Sequence, residues 1–301
     1  MQHEKELTII TPSYNRAHTL QKVYESLKRQ TNQSFIWMVV DDGSIDDTEQ
    51  RVQSFIDKSE IEIKYIKKEN GGKASAINLA LDHLVTPYST CLDSDDWFSE
   101  RAVEIVLDLL HEEDSNEKCC GVLAVRSNPD GTCMGGREIP SSYKYIKTDD
   151  LYNKIGFSSE LICFYKTSIV SQYRFPVYEN EKFISPSWFH YKLCENYSFR
   201  TSWNCICYCE YMKDGLTKNK RTVIVKNPNG YTLIKKISLQ HSTGMKRILK
   251  NAIMFNCGTI LTGKRREWIS DAPHKAVVIL VYPLAVGVYF IRFRKLVNQV
   301  K

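Results

Sequence analysis

Short apolar runs alternate with helix-period segments through the first hundred residues. Leu7–Thr11 reads as a short β-rich strand and the unbroken run Phe35–Val40 as a strand buried on both faces, with Ile61–Ile66 and Tyr88–Leu92 as a third and fourth. Between them, Thr19–Gln30 sets Leu20, Val23, Tyr24 and Leu27 at helical spacing, and Asp46–Asp57 turns Val52 and Phe55 to one side. A third helix, Lys73–Leu84, follows the turn Asn70-Gly71-Gly72. Strands separated by helices of this length predict right-handed crossovers, a parallel sheet and an α/β fold. Ligands of such sheets bind beyond the carboxyl ends of the strands. Three of those ends carry polar clusters here: Thr11–Arg16, Asp41–Ser44 and Asp93–Asp96.

Beyond Ser99 the pattern predicts a helix to Glu112, strands at Gly121–Arg126 and Glu160–Tyr165, a helix at Trp188–Asn196 and an alternating strand at Ser202–Tyr211. From Asn227 onward the spacing is helical. The last segment, Ala276–Ile291, is 16 residues without a charge. As one helix it would reach about 24 Å, short of a hydrocarbon core of about 30 Å, and Pro283 would kink it. Lys275, Arg292 and Arg294 flank it, and Tyr282 and Tyr289 suit a headgroup layer. The preceding stretch (Met245, Ile248, Leu249, Ala252, Ile253) is amphipathic and basic. This combination predicts a helix pair lying on an anionic bilayer; a buried helix closing the domain is the other reading.

The chain has 301 residues, 43% hydrophobic and 25% charged, which excludes a disordered chain, a collagen and a small disulfide scaffold. Its net charge of +6 hides a division: residues 1–150 hold 17 basic against 27 acidic side chains, and residues 151–301 hold 24 against 8. Residues 215–301 alone carry 17 basic residues and only Glu267 and Asp271 as acids. An acidic front suits a metal and a basic back suits an anionic surface; no nucleic-acid partner is expected. Ten cysteines and no signal-like N-terminus predict reduced thiols in the cytoplasm, at the inner face of the plasma membrane if the tail attaches there.

Each cluster has a chemistry and a plainer alternative. Carboxylates crowded at Asp93-Ser94-Asp95-Asp96 repel one another, so a hard cation, Mn²⁺ or Mg²⁺, would hold them together and neutralise a diphosphate leaving group. Alternatively, Asp95 or Asp96 caps the following helix. Asp41 can accept from the imide N–H of uracil or thymine, or simply shape a turn. Lys73, at a helix start after two glycines, could meet a diphosphate. Trp188 suits stacking on an acceptor sugar, or a place in the core. Three signals fail. Gly258 to Lys264 mimics a phosphate loop, but Arg265 replaces the Ser/Thr and the context is helical. Cys205, Cys207 and Cys209 lack partners at zinc spacing. No G-x-G-x-x-G occurs, which argues against a dinucleotide-dependent dehydrogenase.

Together the stretches LTIITPSYNRAHTLQKVYESLKRQT, VVDDGSIDDT, NGGKASAINLAL and CLDSDDWF resemble the family-2 glycosyltransferases of GT-A type, in order and spacing. The resemblance covers roughly residues 5–98. It implies a Rossmann-like mixed sheet flanked by helices with a C-terminal helical tail. Residues 1–98 would form the nucleotide-sugar half, 99–225 the acceptor half of the same domain, and 226–301 a basic tail. It further implies that Thr11, Pro12, Tyr14 and Arg16 line the nucleoside pocket, that Asp41 reads the base, and that Lys73 lies near the nucleotide. Asp93 would contact ribose or metal, and Asp95 would be the main metal ligand of a DXD motif.

The middle segment ENEKFISPSWFHYKL resembles a bacterial branch of the family. There a carboxylate base, Glu181 or next Glu179, would activate an acceptor hydroxyl for inversion; Asp214, before Gly215, would support the site. An acidic residue commonly follows the proline in that branch, whereas this chain reads Ser185-Pro186-Ser187. The implied activity is metal-dependent transfer from a UDP-sugar, or a dTDP-sugar, to a saccharide or lipid-linked acceptor in cell-surface polysaccharide synthesis. A nucleotidyltransferase and a non-catalytic sugar-nucleotide-binding protein are the alternatives.

Overall fold

The computed structural model describes residues 4–58, 60–157, 159–210 and 220–300. They gather into two compact units, Met1–Arg174 with Leu193–Met212, and Phe175–Lys192 with Lys213–Lys301.

The first unit is built on one eight-stranded sheet. Its strands are β1 (Leu7–Ser13), β2 (Phe35–Asp41), β3 (Ile63–Lys67), β4 (Tyr88–Cys91), β6 (Cys119–Val125), β7 (Tyr145–Ile146), β8 (Leu161–Lys166) and β9 (Ser198–Ser202), in the order β3-β2-β1-β4-β8-β6-β9-β7. Helices α1 (Ala17–Lys28), α2 (Thr48–Ile56) and α3 (Lys73–Asp82) carry the chain between the first four strands, which pair in parallel. β8 then enters antiparallel between β4 and β6, so the sheet is mixed. Every residue of β1 and β2 is buried, as expected of central strands covered on both faces. Against them Tyr24 of α1 stacks on Phe55 of α2 at 4.2 Å, with Trp37 beside both. Register aligns the polar strand ends: Ser13 lies opposite Asp41, and Asp41 opposite Lys67. Three strand ends thus form one rim.

β6 and β8 approach unusually closely. Gly121 has φ +149°, and a Cβ there would sit 1.9 Å from the Phe164 carbonyl oxygen, so only glycine fits. Tyr211, the end of the long strand expected over Ser202–Tyr211, lies outside the described residues; over 202–210 one continuous strand does not form. β9 occupies Ser198–Ser202, the Asn204 N–H then donates to the Ser202 hydroxyl, and only β10 (Cys207–Tyr208) pairs again, with β5 (Trp97–Phe98). Cys207 and Cys209 are buried, and burial pushes their thiols up, the latter to about 12. Helix α4 (Ala102–His111), the short α5 (Thr148–Asp150) with a π-turn at Leu151–Ile155, and α6 (Thr167–Val170) complete the unit.

The second unit is helical: α7 (Ser187–Cys194) up to Lys192, α8 (Lys220–Lys226), α9 (Pro228–Gln240), α10 (Met245–Thr262), α11 (Arg265–Ser270), α12 (Lys275–Leu280), α13 (Tyr282–Arg292) and α14 (Arg294–Val300). Its core gathers Leu239, Ala252, Phe255, Val278 and Val281. The phosphate-loop mimic spans the last residues of α10 and the turn after it, and a Cβ on Gly258 would meet the Thr232 hydroxyl of α9 at 2.5 Å. Ile248, Leu249 and Ile253, expected to face a bilayer, pack on this core instead. The charge-free stretch is two helices, with Pro283 in the first turn of α13. Among the described residues no helix is long and apolar enough to cross a membrane.

Candidate active site

The loops after β1, β2 and β3 are lashed together at the carboxyl edge of the sheet. The Asp42 N–H donates to the Ser13 carbonyl at 2.8 Å and the Lys68 N–H to the Asp41 carbonyl at 2.9 Å. Asn15, in the left-handed region at φ 53°, accepts from the Ile45 N–H and donates its own N–H to the Ser44 hydroxyl, both at 2.9 Å. Asn tolerates that conformation better than most residues. Gly43, at φ +78°, allows the second loop to touch the third, because a Cβ would come within 2.8 Å of the Asn70 nitrogen.

Asp41 and Asp42 hold this assembly from within. Asp41 is fully buried; its Oδ1 accepts from the Ser44 N–H at 2.8 Å and its Oδ2 from the Tyr65 hydroxyl at 2.6 Å. Burial and that bond push the Tyr65 phenol up. Asp42 clamps the glycine turn, accepting from the Gly71 N–H at 2.9 Å, the Gly72 N–H at 2.6 Å and the Lys68 ammonium at 2.8 Å. The expectation for Asp41 therefore narrows: only its remaining lone pairs could serve a base. Asp42, Tyr65 and Lys68 were not singled out from sequence. Their signal is faint, a second acid in a turn and a strand end 24 or more positions away.

The acidic run after β4 is balanced by two protein cations. Lys73, the first residue of α3, pairs with Asp93 Oδ1. Arg126, which follows β6, reaches Asp93 Oδ2 at 3.3 Å and pairs closely with Asp96. Burial works against charge on Asp93, but Lys73 and Arg126 outweigh it and hold that carboxyl below its usual range. Lys73 is likewise disfavoured by burial and raised by Asp93 on balance. One guanidinium faces two acids, so Asp96 is pushed up by burial and by Asp93 and Asp95 beyond what Arg126 returns. Asp95 differs: none of the ion pairs among the described residues involves it. Burial and the Asp93 charge push its carboxyl up, with Arg16 pulling the other way.

This arrangement corrects two expectations and sharpens a third. Asp96 pairs with Arg126 and does not cap a helix; α4 starts at Ala102 after β5. Lys73 meets Asp93, so its charge is already engaged. A hard cation fits Asp95, a partly buried oxygen donor that no ion pair among the described residues engages, whereas both Asp93 oxygens already hold Lys73 and Arg126. No group of three His, Cys, Asp or Glu side chains among the described residues could hold a metal. A Mg²⁺-type site of one carboxylate completed by substrate phosphates needs no such group. Around it, Thr11 and Pro12 are buried, the Thr11 hydroxyl accepting from Trp37 Nε1 at 2.9 Å, while Tyr14 is 48% exposed and Arg16 half-buried.

With this geometry in view, the family model for glycosyl transferase family 2 matches residues 8–174. The chain belongs to glycosyl transferase family 2. An uncharacterized glycosyltransferase of Rickettsia felis is 36% identical over 110 residues, 36% of this chain and 18% of its own length. The teichoic acid poly(glycerol phosphate) polymerase of Staphylococcus epidermidis is 34% identical over 110 residues, 36% of this chain and 15% of that protein. The chain thus matches less than a fifth of these two relatives. Among solved structures, S. aureus TarS 1-349 in complex with UDP-GlcNAc aligns with TM-score 0.62 at 19% identity, over 98% of this chain and 91% of that one. The Pyrobaculum calidifontis mannosyltransferase PcManGT, in complex with GDP-Man and Mn²⁺, aligns with TM-score 0.56 at 15% identity, over 99% and 84%. These likenesses show the fold: a GT-A sheet flanked by helices.

In the second unit the expectations for Glu181 and Trp188 change. Glu181 Oε1 accepts from the backbone N–H and side-chain amide of Asn229, both at 2.7 Å, and its Oε2 from the Gly230 N–H at 2.9 Å. It caps the first turn of α9, where unpaired N–H groups and the helix dipole favour a carboxylate. A carboxylate so placed holds the start of a helix. Trp188 is 8% exposed and packs on Phe175 and Phe189, at centroid distances of 5.5 and 5.3 Å, as a core side chain does. Glu179 is exposed. Asp214 lies outside the described residues. Glu181→Ala is expected to lower unfolding stability by about 0.5–2 kcal/mol, measured by urea denaturation of the full chain. A loss confined to activity, with stability unchanged, would contradict the capping role.

Proposed function

We propose that the chain transfers a sugar, with inversion, from a UDP-sugar to a hydroxyl of a saccharide or lipid-linked acceptor in cell-surface polysaccharide synthesis. The observation that carries this reading is the division of labour after β4, where Asp93 and Asp96 are paired by Lys73 and Arg126 and Asp95 is not. The TarS complex with UDP-GlcNAc and the PcManGT complex with Mn²⁺ support a nucleotide-sugar donor and a divalent ion on this fold. The teichoic acid polymerase supports a cell-surface product. Mn²⁺ or Mg²⁺ at Asp95 would neutralise charge gathering on the departing diphosphate.

In the proposed displacement the acceptor oxygen bonds to the anomeric carbon as the bond from that carbon to the diphosphate oxygen breaks. The electron pair leaves with UDP. The acceptor proton passes to a carboxylate base, for which we assign Glu179, since Glu181 is committed to α9. Tyr14 and Arg16 would flank the nucleoside, Asp41 would meet the base through its remaining lone pairs, and Lys73 would fix Asp93 in place near the ribose. One observation favours a sugar-nucleotide-binding protein without turnover. Ser187 stands where relatives of the bacterial branch carry an acid, and its hydroxyl is bonded to that of Ser185 at 2.8 Å.

We also propose that the tail attaches this enzyme to the cytoplasmic face of an anionic membrane. Ile279 and Leu280 of α12, and Leu284, Phe290 and Ile291 of α13, are all about half exposed or more, up to 86% at Ile291. Positions 284, 287 and 291 share one face of α13 by helical spacing. Lys275, Arg292, Arg294 and Lys295 border these positions in sequence, the pattern of an interfacial helix.

Two measurements test these readings. Asp95→Asn is expected to cut Mn²⁺-dependent transfer from a panel of UDP-sugars by about 100-fold, and Glu179→Gln to remove transfer while UDP binding by calorimetry persists; unchanged turnover in both variants would overturn the assignment, and UDP binding by the wild-type chain with no transfer would favour the non-catalytic reading. In sedimentation with phosphatidylglycerol vesicles, Leu280→Ser with Ile291→Ser should release a chain that wild type keeps on the pellet. Equal pelleting of both would contradict the attachment.

A further inference from the structure

The second unit contains a cavity of about 520 Å³ whose lining includes Glu179, the proposed base, and otherwise residues that no step above uses. All of its walls belong to that unit. One wall is the turn Tyr178-Glu179-Asn180, closed by the Glu181 N–H donating to the Tyr178 carbonyl at 3.1 Å, with Asn180 in the left-handed region at φ 62°. Facing residues come from α9, from the connection after α10 and from α11, including Lys264, Glu267 and Trp268.

The lining has a specific chemistry. Trp268 packs against the apolar core of the unit and also lines the cavity, so its ring is held in place. Lys236 lies 6.0 Å from the Trp268 ring centroid and is paired with Asp271, which immobilises both. Asn229 offers a side-chain amide whose nitrogen is anchored to Glu181 at 2.7 Å, so the cap of α9 also orients a cavity group. Glu179, Glu267 and Asp271 outnumber Lys236 and Lys264, which disfavours a phosphate or diphosphate. Two aromatic side chains beside one anchored amide and several carboxylates match a ligand with an apolar C–H face and a rim of hydroxyls. The volume falls in the range of small-molecule sites and suits one or two sugar rings.

We propose that this cavity is a saccharide-binding site for an uncharged pyranose or disaccharide, with Trp268 and Tyr178 as its stacking walls. As a saccharide site it stands on its own geometry; as the acceptor site, with Glu179 as the base at its edge, it rests on the glycosyl-transfer reading.

The test uses saturation-transfer NMR on the full chain with cellobiose, maltose and N,N′-diacetylchitobiose, alongside calorimetry with UDP and Mn²⁺. At least one disaccharide should bind, Trp268→Ala should weaken it by about tenfold or more, and Trp268→Phe should restore part of the loss. Unfolding curves establish that each variant is folded. UDP binding should be the same in wild type and Trp268→Ala. If no disaccharide receives saturation, or if binding survives Trp268→Ala intact, the proposal is wrong. Binding of inorganic pyrophosphate that is lost in Lys264→Ala would also overturn it, in favour of an anion site. Saccharide binding without any UDP binding would leave this site standing and sink the transferase reading, so the two failures are distinguishable.

Discussion

Three carboxylates within four residues are an electrostatic problem before they are a catalytic asset. Two like charges about 4 Å apart at an effective dielectric of about 20 repel by about 4 kcal/mol, comparable to a large share of a domain's whole stability. The fold meets this cost with its own cations. Lys73 arrives on the first residue of α3 and Arg126 at the end of β6, and between them they bracket Asp93 and Asp96. Asp95 is thereby singled out as the carboxylate whose charge nothing in the described chain pairs. Removing Arg126 would leave two acids, of which Asp96 is only 5% exposed, without their shared partner; breaking such buried pairs is strongly destabilising.

The same economy recurs elsewhere. Asp42 resembles a ligand-binding acid in sequence, yet it is the clamp that shapes the turn leading into Lys73. Glu181 resembles a base, yet it terminates a helix and steers Asn229. In both cases the carboxylate acts one layer behind the surface that a ligand would touch. Asp95 of the first unit and Glu179 of the second carry no such commitment among the described residues, which is the ground on which their roles are proposed.

Much of the fold was legible. The β-rich run at Leu7 and the unbroken apolar run at Phe35 marked the central strands, helical spacing marked α1 to α3, and Asp/Gly clusters marked the strand ends, because these patterns reflect burial within a few neighbouring residues. What stayed hidden was whatever depended on distant partners. Arg126 lies 33 positions from Asp93 and reads as an ordinary strand-end cation until β6 is placed beside β8. Glu181 meets Asn229 across 48 positions. Cys205, Cys207 and Cys209 alternate like a strand, but Ser202 and Asn204 make a turn first. Trp188 and the apolar face of α10 were equally compatible with a surface or a core, and only the packing of Phe175 and Phe255 nearby in their unit decides for the core.

The central claim is that a divalent ion is carried by Asp95 while Asp93 remains bound to Lys73 and Arg126. Anomalous diffraction from crystals grown with manganese and uridine diphosphate reads this directly. The account predicts a manganese peak bonded to an Asp95 oxygen and to the diphosphate, with the Lys73–Asp93 and Arg126–Asp93 contacts intact. A bound nucleotide with no manganese at Asp95, or manganese held by an Asp93 that has released both cations, would contradict it.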